Sequence, residues 1–365
     1  MRKKIAVLVY NYRESAMGTR AKYLFKYFPK NKYKISIIYR KSNNFIDTIR
    51  FTFLTLIKRP DTIYMTDIGL PSLIASSLMK LHPFRKAQII VDTGDLIYLS
   101  LKKSYSPNRV FLGLVKIIEQ ASFNISDKII VRGSHFKEYL ENRGYKNVHF
   151  IPDGIDANFS KPMNVKNLRK RLGLEKYLTI GVMGTLDYSK KLDLCYGWEL
   201  VEALKYLKNL PVKGIIIGDG IGRKILEDKA KAYGVFDKLI FLGRLPYSKI
   251  PRYLNLMDIC LLTVPNHILS RIRTTGKLPE YLACGRFIIA SDVGEAKNVI
   301  KNNGILIRYY GIKDFNYVKK LVKEIKRILR NKGILNSGKL GIDIAKRKYE
   351  YKLLSSRLKT ILSDN

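Results

Sequence analysis

Along the first half of the chain, short apolar runs rich in β-branched residues recur at regular intervals: Ile5–Tyr10, Ile35–Tyr39, Thr62–Met65, Gln88–Asp92, Lys128–Val131 and Val148–Ile151. Between them lie stretches of helical period, such as Arg20–Phe28, Pro71–Leu81 and Val110–Ala121. Strands apolar on both faces, alternating with helices, predict a parallel sheet covered by helices. A polar, basic stretch over Ala157–Lys176 interrupts the pattern. A second series then follows: Leu178–Met183, Gly214–Ile217, Leu239–Leu242, Ile259–Leu262, Phe287–Ala290 and Ile305–Ile307. From Asp314 onward the sequence is helical and highly charged. The expectation is an α/β chain of two doubly wound, Rossmann-like domains. They cover 1–158 and 177–345, joined by a linker over 159–176, with a last helix over 346–365 packing back on the first. Ligands of such sheets bind beyond the carboxyl ends of the strands, so the expected site is a cleft that both domains face.

Composition narrows the class. At 46% hydrophobic and 27% charged residues, neither a disordered chain nor a multi-spanning membrane protein fits. The longest apolar candidate, Phe51 to Ile57, ends at Lys58, far short of the roughly 18 residues a span needs. Met1-Arg-Lys-Lys leads directly into a strand pattern, so the expected location is cytoplasmic. Cys195, Cys260 and Cys284 are too widely spaced for a disulfide framework and match no metal-ligand spacing.

Charge changes the picture most. Lys and Arg number 68 against 30 Asp and Glu, a formal net charge of +38, which calls for an anionic partner or surface. Two stretches join basic and apolar residues: Phe45–Arg59, and Tyr98–Lys116, where Leu99, Leu101, Phe111 and Leu112 mix with Lys102, Lys103, Arg109 and Lys116. Each reads either as a helix packed on its sheet or as an element docking on anionic lipid at the cytoplasmic membrane face. The same charge suits nucleic acid, although no nucleic-acid motif accompanies it.

Candidate chemistry lies in the turns after strands. Gly18, in the turn after Tyr10, and Gly184, in Gly181-Val-Met-Gly184, let backbone N–H groups approach an anion at a helix start, or serve as plain tight turns. Lys190 and Lys191 follow, ahead of a helix expected from Leu192. Gly218-Asp-Gly220 is half a dinucleotide fingerprint, or a strand-to-helix turn. The loop after Leu262 brings Arg271, Arg273, Lys277 and Glu280 toward one helix start, where they can clamp a phosphate and hold sugar hydroxyls. Asp92 and Asp95 can each position or deprotonate a hydroxyl, or cap the next helix. There is no Asp-x-Asp of the kind that clamps a metal diphosphate.

In order along the chain, Ile151-Pro-Asp-Gly-Ile-Asp156, Gly181–Lys191, Ile217-Gly-Asp-Gly220, Phe241-Leu-Gly243, Asp258, Lys277-Leu-Pro-Glu-Tyr-Leu-Ala-Cys-Gly285 and Ser291-Asp-Val-Gly294 resemble the glycosyltransferase family 4-like enzymes of GT-B fold. The resemblance implies a metal-independent, retaining hexosyltransferase without a cofactor. It moves a sugar from a UDP- or GDP-sugar donor to a hydroxyl of a lipid-linked or glycan acceptor. By matching position, Gly184 with Lys190 or Lys191 would meet the diphosphate, Glu280 the ribose, and Gly18 the diphosphate from the first domain. Three departures stand out. Ile272 occupies the place of the family's first glutamate, Thr185 that of an arginine after the glycine turn, and Asp92-Thr-Gly-Asp95 that of a histidine. The alternatives are a nucleic-acid-binding protein or DNA-directed sugar transferase, and a catalytically inactive scaffold.

Overall fold

The computed structural model describes residues 2–82, 87–105, 107–273 and 276–363. They fall into two compact units: residues 2–154, 272–273 and 351–363 form the first, and residues 155–271 and 276–350 the second.

The first unit is built on β1 (Lys3–Val9), β2 (Tyr33–Tyr39), β3 (Thr62–Thr66), β4 (Gln88–Thr93), β5 (Lys128–Val131) and β6 (Val148–Phe150). They form one parallel sheet in the order β2-β1-β3-β4-β5-β6. Strand order reverses between β1 and β3, the switch point of an open sheet. Ile5, Val7 and Val9 of β1 pack with Leu24 and Phe25 of the helix Ala16–Lys26. Tyr351, Leu354, Leu358 and Leu362 of the helix Tyr351–Ser363 close the same core.

The second unit holds β7 (Leu178–Met183), β8 (Tyr188–Ser189), β9 (Leu194–Cys195), β10 (Val212–Ile217), β11 (Leu239–Gly243), β12 (Ile259–Leu262), β13 (Phe287–Ser291) and β14 (Gly304–Ile307). Its parallel sheet runs β11-β10-β7-β12-β13-β14, and β8 with β9 makes a separate antiparallel ribbon. Alternation along the strands sorts residues to the two faces. Ile180 and Val182 join one apolar cluster, while Met183 with Cys260 and Leu262 joins the other.

All twelve expected runs are sheet strands; β5, β7 and β12 have the expected bounds, and the others shift by one or two residues. The fold is α/β with two doubly wound parallel sheets. Two local expectations need correction. No helix begins at Leu192: residues 188–195 form the β8–β9 ribbon, and the helix starts at Trp198. The cause is backbone conformation, since Asp193 (φ 44°) and Gly197 (φ 92°) both leave the helical region. Lys313 pins the Asp193 carboxylate at 2.8 Å. The Tyr98–Lys116 stretch is two helices, Ile97–Ser104 and Arg109–Ile125, because Asn108 caps the second through a bond from the Val110 amide at 2.7 Å.

Candidate functional site

At the switch point of the second sheet, between β7 and β12, the chain leaves β7 through Gly184 with φ of 148°. The Gly184 amide donates to the Ile217 carbonyl at 2.9 Å. After β10, Gly218 (φ 134°) approaches so closely that a Cβ there would lie 1.9 Å from the Gly184 carbonyl oxygen. Its own amide donates to the Gly243 carbonyl at 2.9 Å. Gly218 therefore works as the contact that lets two turns close on each other.

Lys277 opens the short helix Lys277–Ala283 and reaches back over the end of β7. A Cβ on Gly184 would lie 2.5 Å from its Cε and 2.6 Å from its Nζ. The ammonium sits 3.5 Å from the centre of the Tyr196 ring. Tyr196 is held in turn by donating its hydroxyl to the Met183 carbonyl at 3.2 Å, and Tyr281 accepts from the Met183 amide at 3.0 Å.

Three residues along that helix, Glu280 is almost completely buried. Its Oε1 accepts from the Tyr247 hydroxyl at 2.5 Å, while Oε2 has no hydrogen-bond partner among the described residues. Burial pushes the Glu280 carboxyl up to about 7, against the opposing pull of Tyr247 and Ser160. A buried acceptor with an unfilled valence is built to receive a donor. A cation at the end of a strand and a carboxyl one turn away can together hold a phosphate and a hydroxyl.

The remaining second-unit candidates sit on other elements. Lys190 and Lys191 occupy the exposed turn between β8 and β9. Arg271, near the end of the helix Ile268–Ile272, is exposed and donates from Nε to Asn266 at 3.0 Å. The loop after β13 packs on that helix, because a Cβ on Gly294 would stand 3.0 Å from the Ser270 and Arg271 carbonyls.

Sequence reasoning missed Glu199, the second residue of the helix Trp198–Tyr206. It accepts from the hydroxyls of Thr263 and Tyr309, each at 3.2 Å, and burial lifts its carboxyl to about 7. A glutamate in a helix's first turn after a glycine turn was the available signal, hidden by the displaced helix start.

In the first unit, Asp92 at the end of β4 is fully buried. Arg20 donates Nε to it at 2.7 Å and Tyr64 its hydroxyl at 2.6 Å, and Arg132 stands 3.5 Å away. Burial alone would raise its pKa, but the Arg20 and Arg132 guanidiniums outweigh burial and hold the carboxyl below its usual range. Asp92 thus balances buried cations. Arg20 also donates to the Ile151 and Pro152 carbonyls at 2.8 and 2.7 Å and to Asp153 at 3.2 Å, fastening the loop after β6. Asp95 is partly exposed and is ion-paired by Arg273. The Gly18 amide is engaged by the N-cap Ser15 at 3.0 Å, and a Cβ on Gly18 would strike the Arg13 carbonyl at 2.3 Å. What Gly18 provides is close approach of the preceding loop to the helix.

Among the described residues no group of three His, Cys, Asp or Glu side chains is placed to hold a metal ion.

Residues 164–340, which contain Gly184, Lys277 and Glu280, match the family model described as Glycosyl transferases group 1. The chain is 27% identical over 156 residues to the 2-deoxystreptamine glucosyltransferase of Streptomyces kanamyceticus, covering 40% of this chain and 37% of that relative. It therefore spans well under half the length of the curated relative it matches. Sucrose-phosphate synthase from Thermosynechococcus elongatus superposes with a TM-score of 0.77 at 16% identity, over 99% of this chain and 98% of that one. Anabaena HepE in complex with UDP-glucose superposes with a TM-score of 0.77 at 15% identity, over 99% of each chain. The pair of six-stranded parallel sheets matches GT-B glycosyltransferase structures.

Proposed function

We propose that this chain is a glycosyltransferase of the family 4-like group. It transfers a hexose from a nucleotide-diphosphate sugar to a hydroxyl of a lipid-linked or glycan acceptor. The observation that carries the reading is the contact between the Gly184 turn and the Lys277 side chain at the carboxyl edge of the second sheet, with the half-satisfied Glu280 carboxyl three residues on along the helix that Lys277 opens. All three lie within the matched segment 164–340. HepE was solved with UDP-glucose bound, and the Streptomyces relative is named for glucosyl transfer, so a UDP-sugar is the first donor to test.

In this reading Glu280 receives a ribose hydroxyl on Oε2, and Lys277 faces the diphosphate. As the acceptor oxygen bonds to the anomeric carbon, the bond from that carbon to the diphosphate oxygen breaks and negative charge collects on the leaving group. Lys277, with Lys190 or Lys191 from the β8–β9 turn, stabilises that charge. Of Asp92, at the end of β4, and Asp95, two residues beyond that strand, Asp95 is the one with the solvent access that a base for a hydroxyl proton needs. Transfer is metal-independent and retains anomeric configuration, as the resemblance implies.

Calorimetric titration with UDP and GDP tests the reading. Wild type should bind one of them with a Kd of about 1–100 μM, and Glu280→Ala should weaken it by about ten-fold or more. Absence of heat with both nucleotides, under conditions where the chain is folded, overturns it.

A further inference from the structure

Two helices of the first unit are turned inside out. Asn44–Lys58 buries Asp47, Phe51 and Thr55, and presents Phe45, Ile49, Phe53 and Ile57 to solvent at four-residue spacing along one face. Phe45 is 74% exposed and Phe53 60%. Arg109–Ile125 buries Glu119, Ser122 and Phe123, while Val110 (72% exposed), Phe111, Leu114 and Ile117 (63%) point outward. The helix Leu70–Lys80 packs against both and contributes Leu78, with Leu81 just beyond its end. One side of this unit is therefore a broad apolar face, well beyond the scattered exposed hydrophobics of ordinary surfaces.

The charge around it has one sign. Over 41–59, 70–82 and 97–118 the sequence holds a single acid, Asp47. Asp47 is fully buried, accepts from the Ser42 amide at 2.9 Å and pairs with Arg50 at 3.2 Å. Lys58, Arg59, Lys103, Arg109 and Lys116 are exposed.

We propose that this face docks on an anionic phospholipid bilayer as a peripheral surface. Its apolar side chains enter the headgroup boundary, and the lysines and arginines lie among lipid phosphates. A second copy of the chain is the poorer occupant. A self-complementary interface would set the same cations against one another with no exposed acid to answer them. A nucleic acid would meet the cations but leave the phenylalanines in water. Among the described residues no helix is long and apolar enough to cross a membrane, so the contact is peripheral. The inference rests on the first unit alone and stands or falls separately from nucleotide binding by the second.

The test is co-sedimentation of the full chain with vesicles of phosphatidylcholine, with and without phosphatidylglycerol. Binding should be about ten-fold stronger or more on the anionic vesicles. It should fall by about ten-fold or more in both Phe45→Ser/Phe53→Ser/Ile117→Ser and Lys58→Glu/Lys103→Glu/Lys116→Glu, with melting and UDP titration unchanged as controls of folding. A single Phe53→Trp variant gives an independent reading, because the native Trp198 is buried in the second unit. Its emission should shift to the blue on adding anionic vesicles. Equal binding by wild type and both triple variants, absence of the blue shift, or a wild-type dimer that the serine variant turns to monomer overturns the proposal.

Discussion

The Lys277 ammonium rests 3.5 Å from the centre of the Tyr196 ring, in space that any side chain on Gly184 would enter. Ninety-three positions separate Gly184 from Lys277, and only the β7–β12 adjacency brings them together.

Gly184→Ala should therefore harm both stability and ligand binding. The added methyl meets Lys277, and φ of 148° is unfavourable to any L-residue. A cost of roughly 1–3 kcal/mol in urea unfolding is expected. Lys277→Met should leave unfolding nearly unchanged yet weaken UDP binding by about ten-fold. Equal UDP affinity in Lys277→Met and wild type would remove this lysine from the proposed donor site.

The raised carboxyls dictate how stability follows pH. Glu119, Glu199 and Glu280 are buried, with burial pushing each to about 7 from 4.5. Between those values the folded chain holds protons that the unfolded chain has released. Stability is thus fully present below about pH 4.5, falls as pH rises through 7, and levels off above. At about 1.4 kcal/mol per pH unit, each group contributes a loss of order 3 kcal/mol at most. Glu199→Gln should accordingly narrow the difference in unfolding free energy between pH 5 and pH 8. An unchanged difference would place its titration elsewhere.

Removing one member of the Arg20–Asp92 pair leaves a buried charge unbalanced. Asp92→Asn deprives both Arg20 and Arg132 of their shared carboxylate and should cost roughly 3–5 kcal/mol by urea unfolding. The double variant Arg20→Met/Asp92→Leu should cost less than the two single changes combined. Strict additivity would show that the two charges do not act as a unit.

Ile272 is 1% exposed. A glutamate placed there would bury a carboxylate, so Ile272→Glu should lose stability on the order of 2 kcal/mol or more. No gain in UDP-glucose affinity is expected in calorimetry. Tighter donor binding would instead mean that the side chain finds the sugar.

The sheets were legible because strands buried on both faces read as continuous apolar runs, which is why β5, β7 and β12 appear with their bounds intact. The placing of Lys277 and Glu280 at a helix start was legible too, and the helix Lys277–Ala283 begins there. Some motif residues proved to serve the scaffold. Asp258 accepts from the Thr179 amide at 2.8 Å at the amino end of β7, opposite the candidate site, and Asp153 pairs with Arg20. Spacing cannot separate the two uses, since both place a polar residue beside a strand. Helical period shows that Phe45–Arg59 has an apolar face, but not which way that face turns. Its orientation is set by Asp47, which folds inward to meet Arg50 and the Lys41 and Ser42 amides.

The first unit closes its core with the helix Tyr351–Ser363. Lys3 and Lys128 tie that helix down by donating to the Leu362 and Ile361 carbonyls at 2.7 and 2.6 Å. During translation the six strands of that sheet have all been made by residue 154, yet their covering helix begins only at 351. At about 5–20 residues per second, the sheet waits roughly 10–40 s with one flank bare. The nascent chain thus carries an open apolar groove through most of its synthesis, and a ribosome stalled before Tyr351 presents a ready substrate for chaperones and proteases.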